Sequence, residues 1–282
     1  IGHLQSFLAG KSEADLEDEE FLAFELTHLL QETNGDEHLW IRWLAEPQHE
    51  EDKALHLNDD YLKEQQQQAA LDNYGFRKVE RKAGNIGFID LKYFHRAKWG
   101  ESACQATFEL IRNTAALIID LRSCPGGHLD MVGLISAYLL GPKPVLLSQI
   151  YWQDEDRTEE FWANPEDPKF YYSKPLFLLT GKATFSAAES FGYNLQRLNR
   201  ARVVGAKTDG GGHIAAYYML SDHLQASIPV GRPVDPETGR SLEKVGVTPD
   251  LGCDPGRSAG LAYQLALQAV IETHEEGGVS QA

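Results

Sequence analysis

The chain has 282 residues, of which 42% are hydrophobic and 10% aromatic, a composition that predicts a folded globular protein and excludes a disordered one. It carries 26 Lys and Arg residues against 42 Asp and Glu residues, a net charge of −16. A nucleic-acid binder needs a basic surface, so this balance argues against that class of partner. No apolar run approaches the ~20 residues of a membrane-spanning helix.

Three cysteines, Cys104, Cys124 and Cys253, are too few and too scattered for a disulfide framework or a zinc site. One disulfide stays possible, and the count does not indicate a cellular compartment. The chain begins with Ile1 instead of Met, which predicts that it has been processed or truncated.

The first part of the chain has helical spacing. Apolar residues recur at helical intervals between Leu16 and Leu30, after a run of four acidic residues, and Asn34-Gly35 is a typical helix end. A charged segment containing Pro47 predicts a loop before a second, polar helix over 59–71. We therefore expect residues 1–75 to be helical.

From Gly84 onward, apolar strands alternate with amphipathic helices, which predicts an α/β fold. The predicted strands are 86–91, 116–121, 145–150, 175–180 and 203–204, and the predicted helices are 102–113, 127–140, 187–198 and 259–273. The acidic, aromatic stretch over 152–168 is expected to form a loop.

Ser186 stands where a buried strand ends and a helix begins. Backbone N–H groups and the helix dipole at such a position favour a developing negative charge, as a serine nucleophile requires. The same position also suits an ordinary N-cap serine. This feature alone leaves both interpretations open.

A second turn between a strand and a helix contains Gly126-Gly127, and paired glycines let backbone N–H groups approach a ligand closely, as in an oxyanion hole. A plain strand-to-helix turn is the alternative. Cys124 lies in this turn, but a thiol nucleophile there is disfavoured because His128 is its only basic neighbour.

Four motifs in order carry a family resemblance: Asp120-Leu121-Arg122 with Gly126-Gly127, then 185–189 (FSAAE), then 203–212 (VVGAKTDGGG), then 246–250 (GVTPD). Together they resemble the tail-specific, or C-terminal processing, serine peptidase family. The chain is most similar to the branch that contains the interphotoreceptor retinoid-binding protein modules and the tricorn protease core.

The resemblance implies a crotonase-like, spiral ββα core preceded by a small helical domain. On this reading the helical domain, truncated at its start, covers residues 1–75 and the peptidase core covers 76–282. In the processing branch the base is a lysine about 25 residues after the serine, a place held here by Gly211, and Lys207 lies at a different motif position. His38 and Gly84 are too close in sequence to hold a PDZ domain of ~100 residues.

In the tricorn-like branch the base is a histidine of the helical domain, and His38 matches its place. A neutral imidazole takes the serine proton and returns it to the leaving amine. Glu243 fits the position of the branch's glutamate, which orients the base. Glu37 replaces the serine that precedes the histidine in tricorn, so it is a candidate auxiliary residue that alters or partly replaces this relay.

The sequence therefore predicts a serine peptidase in which Ser186 attacks and backbone N–H groups of Gly126 or Gly127 and of Ala187 hold the oxyanion. The expected partner is a peptide or protein substrate, and no metal or cofactor is implied. The family resemblance favours a secreted or periplasmic location. The alternative is a non-catalytic module of the same fold that binds a hydrophobic ligand, a retinoid or a fatty acid. His213 follows the triple glycine and could line the site, but a solvated turn residue is the favoured interpretation.

Overall fold

A computed structural model describes residues 2–47, 59–153, 155–164 and 170–279. By their internal contacts the residues fall into two compact units. Unit 1 comprises 1–65, 151–157 and 213–232, and unit 2 comprises 66–150, 158–212 and 233–282.

Unit 1 begins with three helices, α1 (Gly2–Ala9), α2 (Glu13–Glu17) and α3 (Glu19–Asn34). The Asp18 side chain accepts a hydrogen bond from Phe21 N–H at the start of α3, where carboxylates offset the helix dipole. Gly35 ends α3 in the left-handed conformation, with φ of 73°. The predicted helix and its Asn34-Gly35 end are thus confirmed, although the helix begins at Glu19.

Unit 1 also contains antiparallel β-structure that the sequence analysis did not predict. Strand β1 (Trp40–Trp43) pairs with β10 (Leu224–Val234), and β9 (Ile214–Met219) pairs with the other edge of β10. The segment of β1 is short and mixes tryptophan with arginine, so it lacks the apolar run by which the buried strands were recognised.

Unit 2 is built on a six-stranded sheet with the order β11-β8-β7-β4-β3-β2. Its strands are β2 (Phe76–Lys82), β3 (Ile86–Leu91), β4 (Ala116–Asp120), β7 (Leu176–Thr180), β8 (Arg202–Gly205) and β11 (Leu251–Gly252). All neighbouring pairs from β3 to β11 are parallel, and β2 is antiparallel to β3. The helices are α5 (Ala97–Ile111), α6 (Leu129–Leu140), α7 (Ala187–Arg197) and α8 (Pro255–Val279).

Helix α4 (Asp59–Leu71) and strands β5 (Val145–Trp152), β6 (Arg157–Ala163) and β10 have residues in both units. The predicted polar helix over 59–71 is confirmed. The predicted loop over 152–168 is wrong in part, because strand β6 occupies its centre. Residue 154 and residues 165–168 of this stretch lie outside the described part of the chain.

The sheet of unit 2 is buried on both faces. Along β4, Leu117 and Ile119 belong to a core that includes Phe108 of α5 and Phe191 of α7, whereas Ile118 faces Ala262 of α8. Both faces of a parallel sheet are normally covered by helices, which explains the continuous apolar runs in these strands. The structure confirms the mixed α/β class.

Parallel β4 and β7 are direct neighbours, with Asp120 opposite Leu179. Their carboxyl ends therefore place the turns over 121–127 and 181–186 at the same edge of the sheet. In open α/β sheets this edge is where ligands bind.

All three cysteines lie among the described residues, and none forms a disulfide. A search of the described helices finds none that is both long enough and apolar enough to cross a bilayer.

Candidate active site

Ser186 is the N-cap of α7 and has a backbone conformation that residues with a Cβ avoid, with φ of 52° and ψ of −120°. This is the region that favours glycine at the first central position of a type II′ turn, and holding serine there costs about 1 to 3 kcal/mol. Such strain persists only where the surrounding contacts impose it. Ser186 also forms a capping box with Glu189, but an N-cap needs no such strained conformation, so capping alone does not explain the backbone here.

Glu189 is the residue that holds this turn. It lies one turn into α7, and its side chain is fully buried. Its carboxylate accepts hydrogen bonds from Ser186 N–H at 2.9 Å, Gly210 N–H at 2.8 Å and Gly211 N–H at 2.7 Å, and from the Thr208 hydroxyl at 2.5 Å. Burial raises the pKa of Glu189, and these four donors oppose that shift by stabilising the carboxylate. The buried carboxylate of Glu189 thus joins the turn over 181–186 (the serine turn) to the loop over 206–212 (the glycine loop).

The turn that contains Gly126 lies directly against the serine. A Cβ added at Gly126 would come within 2.9 Å of Ser186 Cβ and of Ala187 N, and within 2.8 Å of Phe185 O. Gly126 also has φ of 108°, so only glycine fits without strain. The structure brings Gly126, Ser186 and Ala187 together, as an oxyanion hole requires.

Gly127 is shaped by a different neighbour. Its φ is 133°, and an added Cβ would lie 2.2 Å from the carbonyl oxygen of Phe94, with which it forms an isolated parallel bridge. Close packing against Phe94 therefore also explains this glycine.

Two hydrogen bonds connect the turn after β4 with the turn after β7. The Thr184 hydroxyl donates to Leu121 O at 2.8 Å, and Phe185 N–H donates to Cys124 O at 3.1 Å. The two turns therefore form one connected structure.

Gly211 cannot be replaced by a lysine in this arrangement. A Cβ there would lie 2.2 Å from the Phe185 ring. Lys207 is exposed, on the strand-to-loop segment after β8. The packing of Phe185 against Gly211 therefore leaves no room for a side chain at this position.

Cys124 is fully buried, and burial raises the pKa of its thiol to about 12. A thiol with so high a pKa supplies almost no thiolate at neutral pH, which excludes it as the nucleophile.

Glu243 lies beside the glycine loop in unit 2. Its carboxylate accepts a hydrogen bond from Gly212 N–H at 2.9 Å, and its own N–H donates to the Ser241 hydroxyl at 3.2 Å. The loop over 242–246 packs closely against Gly212, so that a Cβ added to Gly212 would lie 2.4 Å from Glu243 N.

In unit 1, His38 follows the end of α3 and is partly buried, with 12% of its side chain exposed. The carboxylate of Asp36 accepts a hydrogen bond from His38 N–H at 2.9 Å, and His38 Nδ1 lies 3.4 Å from Asp36 Oδ1. Burial lowers the pKa of His38, and Asp36 partly offsets this. A histidine with a lowered pKa is neutral at pH 7, which is the form that acts as a general base. The neighbouring Glu37 is exposed.

His213 is half-buried, and its Nδ1 lies 2.6 Å from Asp36 Oδ2. The expectation of a solvated turn residue is therefore wrong, because the ring contacts a buried carboxylate. The 2.6 Å distance is that of a charge-assisted hydrogen bond.

The sequence names Ser186, Gly126 and His38 as candidate site residues, but its motifs assign no role to Glu189, Asp36 and His213. The spacing of Ser186 and Glu189 is that of a capping box, S-x-x-E, which is a signal for Glu189. No local signal indicates the contact of Asp36 with His213, which lie 177 positions apart.

His128, directly after Gly127, gives a pH-dependent expectation. Burial, as the largest cause, and the cationic Arg96 lower its pKa from 6.5 to about 4. The unfolded chain binds a proton near pH 6.5 while the folded chain does not, so stability falls as pH decreases from 6.5 to 4. In urea titrations, the free energy of unfolding is expected to fall between pH 7 and pH 5 by about 2 kcal/mol less in His128→Gln than in the wild type. Equal losses would contradict the burial of a neutral His128.

The chain matches a known peptidase family. The family model for peptidase family S41 matches residues 85–253. The carboxyl-terminal-processing protease of Synechocystis sp. is 33% identical over 172 residues, covering 60% of this chain and 38% of the relative. The protein of the same name from Picosynechococcus sp. is 27% identical over 224 residues, covering 73% of this chain and 50% of the relative.

A solved structure of a lipoprotein from Streptococcus agalactiae aligns with a TM-score of 0.58 at 16% identity, over 94% of this chain and 86% of that chain. At this identity the similarity shows the fold alone. The chain spans half or less of the length of the two curated relatives.

Proposed function

Because the chain belongs to peptidase family S41, we propose that it is a serine peptidase that hydrolyses peptide bonds through an acyl-enzyme on Ser186. The observation that carries this proposal is the strained backbone of Ser186 at the start of α7, packed against Gly126. The substrate class is a peptide or a protein. The carboxyl-terminal-processing proteases to which the chain is similar support that class.

In the proposed reaction Ser186 Oγ bonds to the scissile carbonyl carbon while His38 takes the hydroxyl proton. The carbonyl oxygen becomes an oxyanion, held by the backbone N–H groups of Gly126 or Gly127 and of Ala187. His38 then gives the proton to the leaving amine as the C–N bond breaks. Water attacks the ester, again with His38 as the base, and releases the acid and Ser186.

The acidic member of the site is proposed as Glu243, which the family resemblance places here. Its hydrogen bond from Gly212 N–H supports a fixed position for the carboxylate within unit 2. Glu37 stays proposed as an auxiliary residue.

The finer description of the fold is a proposal as well. We propose a crotonase-like spiral core over 76–282 and a helical domain over 1–75. The alternation of parallel strands with helices in unit 2 supports the first, and α1 to α3 support the second. None of the contacts among the described residues favours the alternative function, a module that binds a hydrophobic ligand.

A fluorophosphonate probe followed by mass spectrometry tests the function. The wild type is expected to carry the adduct on the peptide that contains Ser186, and Ser186→Ala is expected to carry none. His38→Gln should be labelled roughly 10²- to 10⁴-fold more slowly, since a general base contributes about that factor. Circular dichroism confirms that the variants are folded. Folded wild type without an adduct, or with its adduct elsewhere, would contradict the proposal.

A further inference from the structure

We infer that Asp36 is a positioning residue that fixes the imidazole of His38, and that His213 holds Asp36 in the required orientation. This inference rests on the proposed function, in which His38 is the base. It assigns a task to a carboxylate and an imidazole for which the sequence motifs gave none.

Asp36 is a buried carboxylate. Only 2% of the residue is exposed. A buried carboxylate is costly unless its oxygens are hydrogen-bonded. Both oxygens of Asp36 are used, Oδ1 by His38 N–H at 2.9 Å and Oδ2 by His213 Nδ1 at 2.6 Å. The carboxylate is therefore held at both ends.

One ring nitrogen of His213 and one of His38 face the Asp36 carboxylate. An ionised carboxylate carries only acceptors, so the His213 nitrogen at 2.6 Å is the donor. His38 Nδ1 lies 3.4 Å from Asp36 Oδ1, an ion-pair distance at which the negative carboxylate attracts a proton to that nitrogen. A proton on Nδ1 leaves Nε2 of His38 with its lone pair, the state that a general base needs.

A local turn alone does not account for this arrangement. An aspartate that merely stabilises the chain after α3 needs one oxygen for His38 N–H, as in an Asx-turn. The second oxygen reaches His213, a distant part of the sequence, at the shortest distance in this cluster.

The test uses Asp36→Asn in the full chain. Asparagine keeps an oxygen for His38 N–H and the size of the side chain, but it removes the charge and cannot accept at both positions. We expect kcat for a peptide substrate to fall roughly 10²- to 10³-fold, with KM changed less than about threefold. Glu32→Gln, which removes the same charge from an exposed position on α3, is the matched control and should leave kcat within about twofold of the wild type.

A second measurement does not depend on peptidase activity. Long-range ¹H–¹⁵N spectra report which ring nitrogen carries the proton, with signals assigned through His38→Gln and His213→Gln. In Asp36→Asn we expect the ring signals of both His38 and His213 to change, and in Glu32→Gln neither.

Changed ring signals together with the kcat loss support the inference. If Asp36→Asn changes the ring signals but the wild type hydrolyses no peptide, the proposed function is overturned, while the positioning of the two rings stays supported. Unchanged ring signals would overturn the inference, whatever kcat does, because a fall in kcat would then reflect a structural role. A rise in KM with kcat unchanged would overturn it as well.

Discussion

Replacing Ser186 with alanine is expected to abolish peptide hydrolysis, with kcat reduced roughly 10⁴- to 10⁶-fold, while the protein stays folded. The hydroxyl oxygen of Ser186 forms the acyl bond in the proposed reaction, so no neighbouring group replaces it. Loss of an N-cap side chain costs only about 1 kcal/mol. Activity against a peptide substrate and the urea midpoint, measured on the same preparation, separate the two effects.

Glycine at position 186 provides the informative control. It adopts a φ of 52° with a ψ of −120° without strain, whereas alanine carries the same Cβ penalty as serine. We therefore expect Ser186→Gly to be as inactive as Ser186→Ala. Its free energy of unfolding should exceed that of Ser186→Ala by about 1 kcal/mol. If the glycine variant were the less stable of the two, the backbone at this position would not be strained.

The second large effect is expected at Glu189. Glu189→Ala removes the acceptor of four hydrogen bonds in a fully buried place and leaves the N–H groups of Ser186, Gly210 and Gly211 and the Thr208 hydroxyl without that partner. Breaking such a buried network costs roughly 3 to 5 kcal/mol. Urea unfolding monitored by tryptophan fluorescence measures this loss. The variant should also lose fluorophosphonate labelling, because the serine turn is no longer held.

Glu189→Gln tests whether the carboxylate or only its volume matters. Glutamine has the same size, but its amide nitrogen would face N–H donors where Glu189 presents an acceptor. We expect it to be destabilised as well, by roughly 1 to 3 kcal/mol, with slower labelling. A glutamine variant as stable and as reactive as the wild type would show that the charge of Glu189 has no role in holding the turn.

Much of the core could be predicted because its strands are buried on both faces. The continuous apolar runs of β4 and β7 indicate such strands directly. Strands β1 and β2 were not predicted, since their segments, WIRW and FRKVERK, mix charged and apolar residues and obtain their partners only from distant parts of the chain. The strand at 157–163 was missed for the same reason.

In the candidate site, too, some residues are indicated by their local sequence and others are brought together only by the fold. Ser186 and Gly126 stand in short local patterns whose backbone needs are visible in the sequence. Asp36 and His213 come together only through the fold, and neither residue type in its local sequence indicates the other. Glu189 lies between these cases, because its spacing from Ser186 is a local signal but its bonds to the glycine loop are not.

The pairing of β4 with β7 has a consequence for how this site tolerates insertions and deletions. Asp120 lies opposite Leu179, and both strands run directly into the turns that carry Gly126 and Ser186. One added residue in either strand would displace its turn by ~3.3 Å and reverse the faces of its side chains. The spacing between nucleophile and oxyanion donors is therefore inherited from the register of the sheet. Any change in the length of these two strands therefore changes the candidate active site.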